Sequence, residues 1–374
     1  MNSIAKIQEK LREKELDAIL ITDEKNQRYA AGFPFTDGYV LVSREKAWLL
    51  TDSRYIEAAE STVDSCVTVQ MFDRQHSRLS LLTAALKEAK VSRLGAEEQK
   101  LNHGEYLELE KALGMSLLPA QEILSGLRAA KCAEEIESMR QAQRISELAL
   151  EETLQVIKPG MTEREVAAEL VYRMLRHGSE GNSFDPIVVT GTKTSLPHGV
   201  PGDKVIREGD FLTMDFGCLK NGYCSDMTRT VAVGQATDEM KNIYAIVLKA
   251  QLAGIAAARA GIPGKEIDGA ARKVIVDAGF GQYFGHGFGH SLGLDIHEAP
   301  SANPSGETLM PVGAVVSAEP GIYLPGKFGV RIEDVMVLNE TGCEVITKAP
   351  KEQLIILCNT RFSEKGLAKN AVIL

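Results

Sequence analysis

Two aspartates lie on either side of a predicted turn, at a spacing that could bring their carboxylates together. Asp215 follows the largely apolar run 211–214, and Asp226 follows the Asn-Gly pair at 221–222, which predicts a hairpin turn or the end of a longer loop. Each aspartate could simply cap a turn, and the pair could belong to a solvated hairpin. If the two carboxylates are close, they require a cation or a proton between them.

Three of the seven histidines, His286, His290 and His297, fall in the glycine-rich segment 285–298. The glycines favour a closely packed irregular backbone over a helix, and neutral imidazole is a common ligand of transition metals. A single histidine in such a segment would usually be a hydrogen-bonded core residue. Three together favour a functional site.

Two glutamates, Glu319 and Glu333, each lie within or just beyond an apolar strand pattern, where a carboxylate without a partner is seldom buried. The period of two in the segment 329–334 places Arg331 and Glu333 on one face of the strand. An Arg–Glu ion pair is the structural alternative for this strand taken alone.

These segments together supply four carboxylates and one imidazole, from Asp215, Asp226, His290, Glu319 and Glu333. Four carboxylates balance the charge of two divalent cations, and oxygen-rich ligation with one nitrogen suits Mn²⁺, with Co²⁺ or Zn²⁺ as alternatives. Two metals about 3.5–4 Å apart can hold a bridging hydroxide and polarise a carbonyl. The residues therefore predict a dinuclear metallohydrolase that acts on an amide or an ester.

The elements that must position these residues follow from chain length and periodicity. A chain of 374 residues exceeds the usual size of one core. We predict a small α/β domain at 1–124, a linker at 125–132 and a catalytic domain at 133–374 that ends in a short C-terminal tail. The catalytic domain alternates twice between helical and strand-like patterns, at 133–156, 185–234, 238–278 and 281–357. This order predicts an α+β domain made of two similar halves.

Composition narrows the classes of partner and compartment. The net charge of -9 argues against a nucleic-acid binder, which would need a basic face. No signal-peptide pattern and no long apolar run is present, so we expect a cytoplasmic protein that does not bind a membrane. The six cysteines form no Cys-x-x-Cys pair and are expected to be reduced thiols.

The motifs resemble those of the pita-bread metallopeptidases, specifically the Xaa-Pro branch that contains prolidase and aminopeptidase P. The eleven-residue spacing of the two aspartates, the Gly-His-x-x-Gly-Leu-x-x-His-Glu block at 289–298, and the Glu-Pro-Gly and Arg-Ile-Glu-Asp blocks occur in the family's order. The resemblance covers nearly the whole chain. It implies a pita-bread catalytic domain with pseudo-twofold halves behind a creatinase-N-like domain, hydrolysis of Xaa-Pro bonds in small peptides with proline in second position, and a homodimer.

The resemblance also implies a role for each ligand. Asp215 would be a bidentate ligand of one metal, and Asp226 and Glu333 would bridge both metals. His290 and Glu319 would complete the shell of the other metal, and Glu319 would serve as general base to the bridging water.

Further roles follow from the same resemblance for residues around the ligands. His198 would bind substrate and shuttle protons, while His297 would contact the scissile carbonyl and help to stabilise the tetrahedral intermediate. Arg331 would orient the substrate, and His286 would lie near the proline-side pocket.

The proline nitrogen of the scissile bond cannot donate a hydrogen bond, so its site needs an apolar wall. Candidates for that wall are Phe184, Ile187 and His286. The sequence departs from the family at Ser291, where many members have glycine, and at Ser301, where many prolidases have arginine. If that arginine holds the carboxylate of a dipeptide, its absence favours longer peptides.

Three alternatives stay open at this point. A methionine aminopeptidase shares the catalytic fold and ligands, although the N-terminal domain argues against it. A metal-free creatinase-like hydrolase would have lost ligands, whereas all five are present. A non-enzymatic binding protein on the same fold would not need both His198 and His297.

Overall fold

The computed structural model describes residues 2–357 and the short segment 371–373. The chain divides into two compact units, Met1–Arg128 and Ala129–Leu374. The division lies inside the linker predicted at 125–132, but a helix, Gln121–Ala129, occupies part of that linker. Its apolar side chains, Ile123 and Leu124, are buried, which explains why the segment is ordered as a helix.

The first unit is a mixed sheet with helices. Its strands are β1 (Ala18–Ile21), β2 (Gly38–Ser43), β3 (Ala47–Thr51), β4 (Val67–Met71), β5 (Leu94–Ala96) and β6 (Leu117–Pro119). Its helices are α1 (Ser3–Glu13), α2 (Glu24–Ala31), α3 (Ile56–Thr62), α4 (Arg78–Glu88), α5 (His103–Leu113) and α6 (Gln121–Ala129). The six strands lie in the order β4-β3-β2-β1-β5-β6. Apolar side chains of the sheet and of α4 and α5 form its core.

The second unit contains four long helices, α7 (Ala133–Leu154), α8 (Glu163–Arg176), α9 (Asp238–Ala257) and α10 (Gly264–Asp277). Its first group of strands is β7 (Ile187–Thr190), β8 (Phe211–Phe216), β9 (Leu219–Lys220), β10 (Tyr223–Cys224) and β11 (Met227–Val233). The second group is β12 (Gly289–Ser291), β13 (Glu298–Ala302), β14 (Val315–Ala318), β15 (Gly321–Leu324), β16 (Phe328–Arg331), β17 (Asp334–Leu338), β18 (Cys343–Val345), β19 (Ile355–Leu357) and β20 (Ala371–Ile373). Short 3₁₀ helices occupy Gly191–Ser195 and Gly281–Tyr283.

Two similar halves, each a pair of helices packed on a five-stranded sheet, make up this unit. In the first half the helix pair α7–α8 packs on a sheet ordered β20-β19-β11-β8-β7. In the second half α9 and α10 pack on a sheet ordered β13-β12-β14-β17-β18. The two similar halves agree with the alternating sequence pattern, except that the first sheet takes two of its five strands, β19 and β20, from the end of the chain.

Strand pairing explains how the acidic residues come together. Asn221 and Gly222 have positive φ values of 49° and 75° and close the small β9–β10 hairpin. The longer pair is β8 with β11, in which Asp215 lies opposite Thr228. In the other half Ala318 lies opposite Asp334, so Glu319 and Glu333 flank neighbouring ends of paired strands.

Two further sequence predictions concern cysteines and membrane segments. The five cysteines in the described part of the chain are free thiols, and Cys358 lies outside it. Among the described residues, no helix combines the length and apolar character that crossing a bilayer would require. The predicted C-terminal tail falls largely on residues 358–370, which the structure does not describe.

Candidate active site

A cavity of about 460 Å³ lies in the second unit and is lined from both halves. All eleven residues that sequence analysis proposed as ligands, catalytic groups or substrate contacts line it: Phe184, Ile187, His198, Asp215, Asp226, His286, His290, His297, Glu319, Arg331 and Glu333. The cavity also exposes residues that the sequence did not single out as ligands or pocket walls: Asp185, Pro197, Ile296, Ser301 and Asn303. The structure thus brings together residues that are up to about 150 positions apart (333 − 184 = 149).

A compact group of ligand-type atoms forms the floor of the cavity. Ligand atoms of Asp226, His290 and Glu333 all lie within 4.8 Å of one another. The Nε2 atom of His290 is 3.6 Å from Asp226 Oδ2 and 3.3 Å from Glu319 Oε1. The fourth carboxylate, Asp215, lies beside this group. Its Oδ2 atom accepts a hydrogen bond from Arg331 Nη2 at 2.5 Å.

Burial of several acids in one place has a marked electrostatic consequence. Burial raises the pKa of the Asp226 carboxyl well above its ordinary range, and the charges of Asp215 and Glu319 raise it further. The pKa of Glu333 is also raised well above its ordinary range, chiefly by burial and next by the charge of Asp226. The pKa of Glu319 is also raised, chiefly by burial. Without cations, these groups are therefore stable only if some of them hold protons.

The donor set fits divalent cations. Two carboxylate oxygens, Asp215 Oδ1 and Asp226 Oδ1, are buried and have no hydrogen-bond partner within the described part of the chain. The Nδ1 atom of His290 lies 3.2 Å from the carbonyl oxygen of Ser291, so Nδ1 carries the proton and the Nε2 lone pair faces the carboxylates. Burial lowers the pKa of His290 and favours this neutral form. Unpaired carboxylate oxygens beside a neutral imidazole match what a metal ion of this class requires.

A buried threonine that sequence analysis missed joins the ligands to Arg331. The Thr228 hydroxyl donates to Glu333 Oε2 at 2.7 Å and accepts from Arg331 Nε at 3.1 Å. Arg331 also donates to the Tyr323 hydroxyl at 2.8 Å. Thr228 lies opposite Asp215 in the β8–β11 pair, a pairing that local sequence does not reveal.

A second buried network supports the strands behind the glutamates. Arg229 donates to the carbonyl oxygen of Glu333 at 2.6 Å and to Asp334 Oδ1 at 2.8 Å. Lys351 contacts the other oxygen of Asp334 and donates to Gln251 Oε1 at 2.8 Å. Asp334 and Ile332 face away from the cavity, as the period of two predicted.

His286 lies on one side of the cavity in a fixed tautomer. Its Nδ1 atom is 2.8 Å from the carbonyl oxygen of Gly287 and therefore donates, which leaves Nε2 to accept from the Tyr323 hydroxyl at 2.9 Å. Burial lowers the pKa of His286. Burial also raises the pKa of Tyr323 to about 12. His286 thus presents its ring to the cavity as a neutral imidazole whose two nitrogens are both occupied.

The other two histidines differ in their surroundings. The His297 ring lies 4.3 Å from the His290 ring, edge to face. His198 lies in the loop after the 3₁₀ helix Gly191–Ser195 and is exposed. Of the two family departures, Ser291 is buried and donates to the carbonyl oxygen of Pro300 at 2.6 Å, whereas Ser301 pairs with His290 across β12 and β13 and lines the cavity.

Two family sequence models match the chain. The model of metallopeptidase family M24 matches residues 137–340, and that of the creatinase/prolidase N-terminal domain matches residues 4–130. These matches confirm the predicted fold class, a creatinase-type N-terminal domain followed by a pita-bread domain.

Solved structures and curated relatives are similar over most of the chain. A structure titled Xaa-Pro dipeptidase from Bacillus anthracis is 41% identical, with a TM-score of 0.91, and the match covers 95% of this chain and 99% of that one. The X-Pro aminopeptidase structure from Thermotoga maritima is 37% identical with a TM-score of 0.86, covering 91% and 98%. An Xaa-Pro dipeptidase of Pyrococcus horikoshii is 35% identical, covering 93% of this chain and 97% of the relative.

Proposed function

Because the chain belongs to metallopeptidase family M24, we propose that it hydrolyses the Xaa-Pro bond at the N-terminus of small peptides by means of two divalent cations. Family membership implies a metal-dependent peptidase, and the names of similar proteins supply the Xaa-Pro bond. The observation that carries the proposal is the buried group of four carboxylates and one imidazole, in which two oxygens have no protein partner among the described residues.

The proposed ligands are those that the motif resemblance assigned: Asp215, Asp226, His290, Glu319 and Glu333. Mn²⁺ is the proposed ion, with Co²⁺ or Zn²⁺ as alternatives, because hard oxygen ligands dominate the set. Such a pair of cations, when bound, would acidify a water between them toward neutral pH and polarise the scissile carbonyl. Binding of cations would also remove the repulsion that raises the pKa of Asp226 and Glu333.

Glu319 is the proposed general base. The Ser317 hydroxyl donates to Glu319 Oε1 at 2.9 Å and also accepts from the backbone N–H of His290 at 3.0 Å, so the carboxylate is held beside the ligand histidine. In this position Glu319 would take the proton of an attacking water. Glu319 then holds the proton that the leaving proline nitrogen needs.

The imidazoles of His198 and His297 are proposed to complete the reaction from the cavity wall. His297 lies beside His290, and in this proposal it donates to the scissile carbonyl oxygen as that oxygen gains negative charge. His198 is exposed at the cavity, where it could relay a proton between Glu319 and the leaving nitrogen.

Arg331 has a more indirect role in our proposal than the substrate contact that the resemblance implies. Its guanidinium is engaged by Asp215, Thr228 and Tyr323. These contacts fix the orientation of the Asp215 carboxylate. Arg331 therefore orients substrate through the ligand that it holds.

The proline ring is proposed to lie against Phe184 and Ile187. Both side chains line the cavity and offer no hydrogen-bonding group, which suits a nitrogen that cannot donate. His286 contributes the face of its ring because both of its nitrogens already have partners.

The comparisons do not fix the length of the peptide substrate, because similar proteins are named both dipeptidase and aminopeptidase. Ser301 lines the cavity with a neutral side chain. The decisive experiment assays Ala-Pro, Ala-Pro-Ala and longer peptides, with Met-Ala as the control for a methionine aminopeptidase, in Mn²⁺, Co²⁺ and Zn²⁺. Cleavage of Ala-Pro alone identifies a prolidase, and a preference for three or more residues identifies an aminopeptidase P. Binding of these peptides without cleavage in any metal would contradict the proposal.

The homodimer and the cytoplasmic location stay predictions. Light scattering on the purified chain would test the homodimer by giving twice the mass of 40.7 kDa. Fractionation of cells that express the chain would test the location.

A further inference from the structure

An ion pair on α10 holds the backbone of the segment that carries His286. Asp268 and Arg272 lie one helical turn apart, and their side chains form a two-pronged pair with distances of 2.7 and 2.9 Å. Asp268 is fully buried, and the Arg272 side chain is about a quarter exposed, at 24%. The segment from Phe284 to Phe288, between α10 and β12, lies against this pair.

Three backbone groups of this segment bind to the pair. Arg272 donates to the carbonyl oxygen of Phe284 at 2.9 Å and to that of His286 at 2.6 Å. Asp268 Oδ1 accepts from the N–H of Phe288 at 2.9 Å. The guanidinium also lies 4.1 Å from the centre of the Phe284 ring, a cation–π distance. Arg272 donates to both carbonyl oxygens while it keeps two bonds to Asp268, and these four bonds exceed the three N–H donors of a lysine.

On its other side the same segment contacts Tyr323 and Glu319 of the candidate active site. His286 accepts from the Tyr323 hydroxyl, and the carbonyl oxygen of Phe288 accepts from the N–H of Glu319 at 2.8 Å. Gly285 and Gly287 flank His286 and leave its backbone intrinsically free to adopt many conformations. Contacts from outside the segment therefore hold the imidazole at the cavity wall: Tyr323 binds the ring, and the Asp268–Arg272 pair binds the backbone.

We propose that the Asp268–Arg272 pair is a positioning element that sets the affinity of the site for the proline side of the substrate by fixing His286. Neither residue lines the cavity, so the pair acts through the backbone of the segment. The kinetic part of this inference rests on the proposed Xaa-Pro peptidase function. The structural part, that the pair fixes the His286 imidazole, does not.

The kinetic test compares Arg272→Met and Arg272→Lys with a matched control, Lys273→Met. Lys273 forms an ion pair of the same spacing with Asp277 on the same helix, but both side chains are exposed. We expect Arg272→Met to raise KM for an Xaa-Pro peptide about tenfold while kcat changes less than about threefold, because binding geometry is lost and not the reacting groups. The KM of Arg272→Lys should lie between those of Arg272→Met and the unsubstituted chain, and the KM of Lys273→Met should equal that of the unsubstituted chain.

A readout that needs no activity is the NMR signal of the His286 ring in protein labelled at histidine, assigned with His286→Gln. We expect this signal to move in Arg272→Met and to stay in place in Lys273→Met. A loss of stability alone would leave the signal of the folded chain unmoved. If Arg272→Met does not fold, the same NMR and kinetic comparisons are made with Arg272→Lys.

Folded variants with an unmoved His286 signal and an unchanged KM would overturn the inference. Failure of the unsubstituted chain to cleave Xaa-Pro peptides would instead overturn the proposed function, and the NMR comparison would still test the positioning role.

Discussion

Replacing Thr228 by valine removes one buried hydroxyl with little change in side-chain volume, and we expect it to weaken metal binding. The hydroxyl donates to Glu333 Oε2 at 2.7 Å and accepts from Arg331 Nε at 3.1 Å. Valine can do neither. A buried carboxylate and a buried guanidinium would each lose a partner, and the carboxylate is a proposed metal ligand.

The size of the effect follows from these two contacts. A hydrogen bond to a charged group contributes about 1.5–3 kcal/mol. Outer-shell partners of metal ligands typically change metal affinity by about 10–100-fold. The two figures agree, since about 1.4 kcal/mol corresponds to a tenfold change in an equilibrium constant. We therefore expect Thr228→Val to bind Mn²⁺ about 10–100-fold more weakly.

The assay is competition between the metal-free protein and a chromogenic chelator for Mn²⁺. Thr228→Ser is the matched control, because serine keeps the hydroxyl and loses only a methyl group. Circular dichroism establishes that each variant is folded. A folded Thr228→Val protein with unchanged metal affinity would refute the reasoning, since it would mean that Glu333 needs no fixed partner.

Three further expectations concern the acids and the tyrosine of the site. Burial and mutual repulsion raise the pKa of three carboxyls, so the metal-free folded chain holds protons that the unfolded chain releases. Their contribution to stability is thus fully present below about pH 4 and is lost as the pH rises through the raised values. Melting curves between about pH 5 and pH 8 should show this fall, and Asp226→Asn should flatten it. Added Mn²⁺ should raise the melting temperature more at about pH 8 than at about pH 5, because fewer protons then compete with the metal for the carboxylates. An equal rise at both pH values would show that these carboxylates are not the metal site. Tyr323→Phe leaves Arg331 and His286 each short of a partner, so urea unfolding should show a loss of about 1–3 kcal/mol that exposed Tyr172→Phe does not.

The acidic residues that sequence analysis identified share one property: a carboxylate is seldom buried without a partner. Asp215, Glu319 and Glu333 stand out because each is a carboxylate within or just beyond an apolar strand pattern. Periodicity predicted two similar halves of helices and strands. The Asn-Gly pair predicted the turn at Asn221-Gly222, where both φ values are positive.

The supporting residues were not predictable in the same way. Thr228 and Tyr323 are neutral, and nothing in their local sequence distinguishes them from ordinary strand residues. Their importance depends on pairing between β8 and β11 and between β15 and β16, which is set by the tertiary fold. The Arg272 contacts join a helix to a segment more than ten residues further along the chain, which local patterns do not reveal.

The most direct test of the central claim is titration of metal-free protein with Mn²⁺ while Xaa-Pro hydrolysis is measured, with Asp226→Ala as the control. The claim predicts no turnover without metal, activity that saturates at about two ions per chain, and none in the variant. Turnover by the metal-free chain, or unchanged turnover by Asp226→Ala in metal-replete buffer, would contradict it.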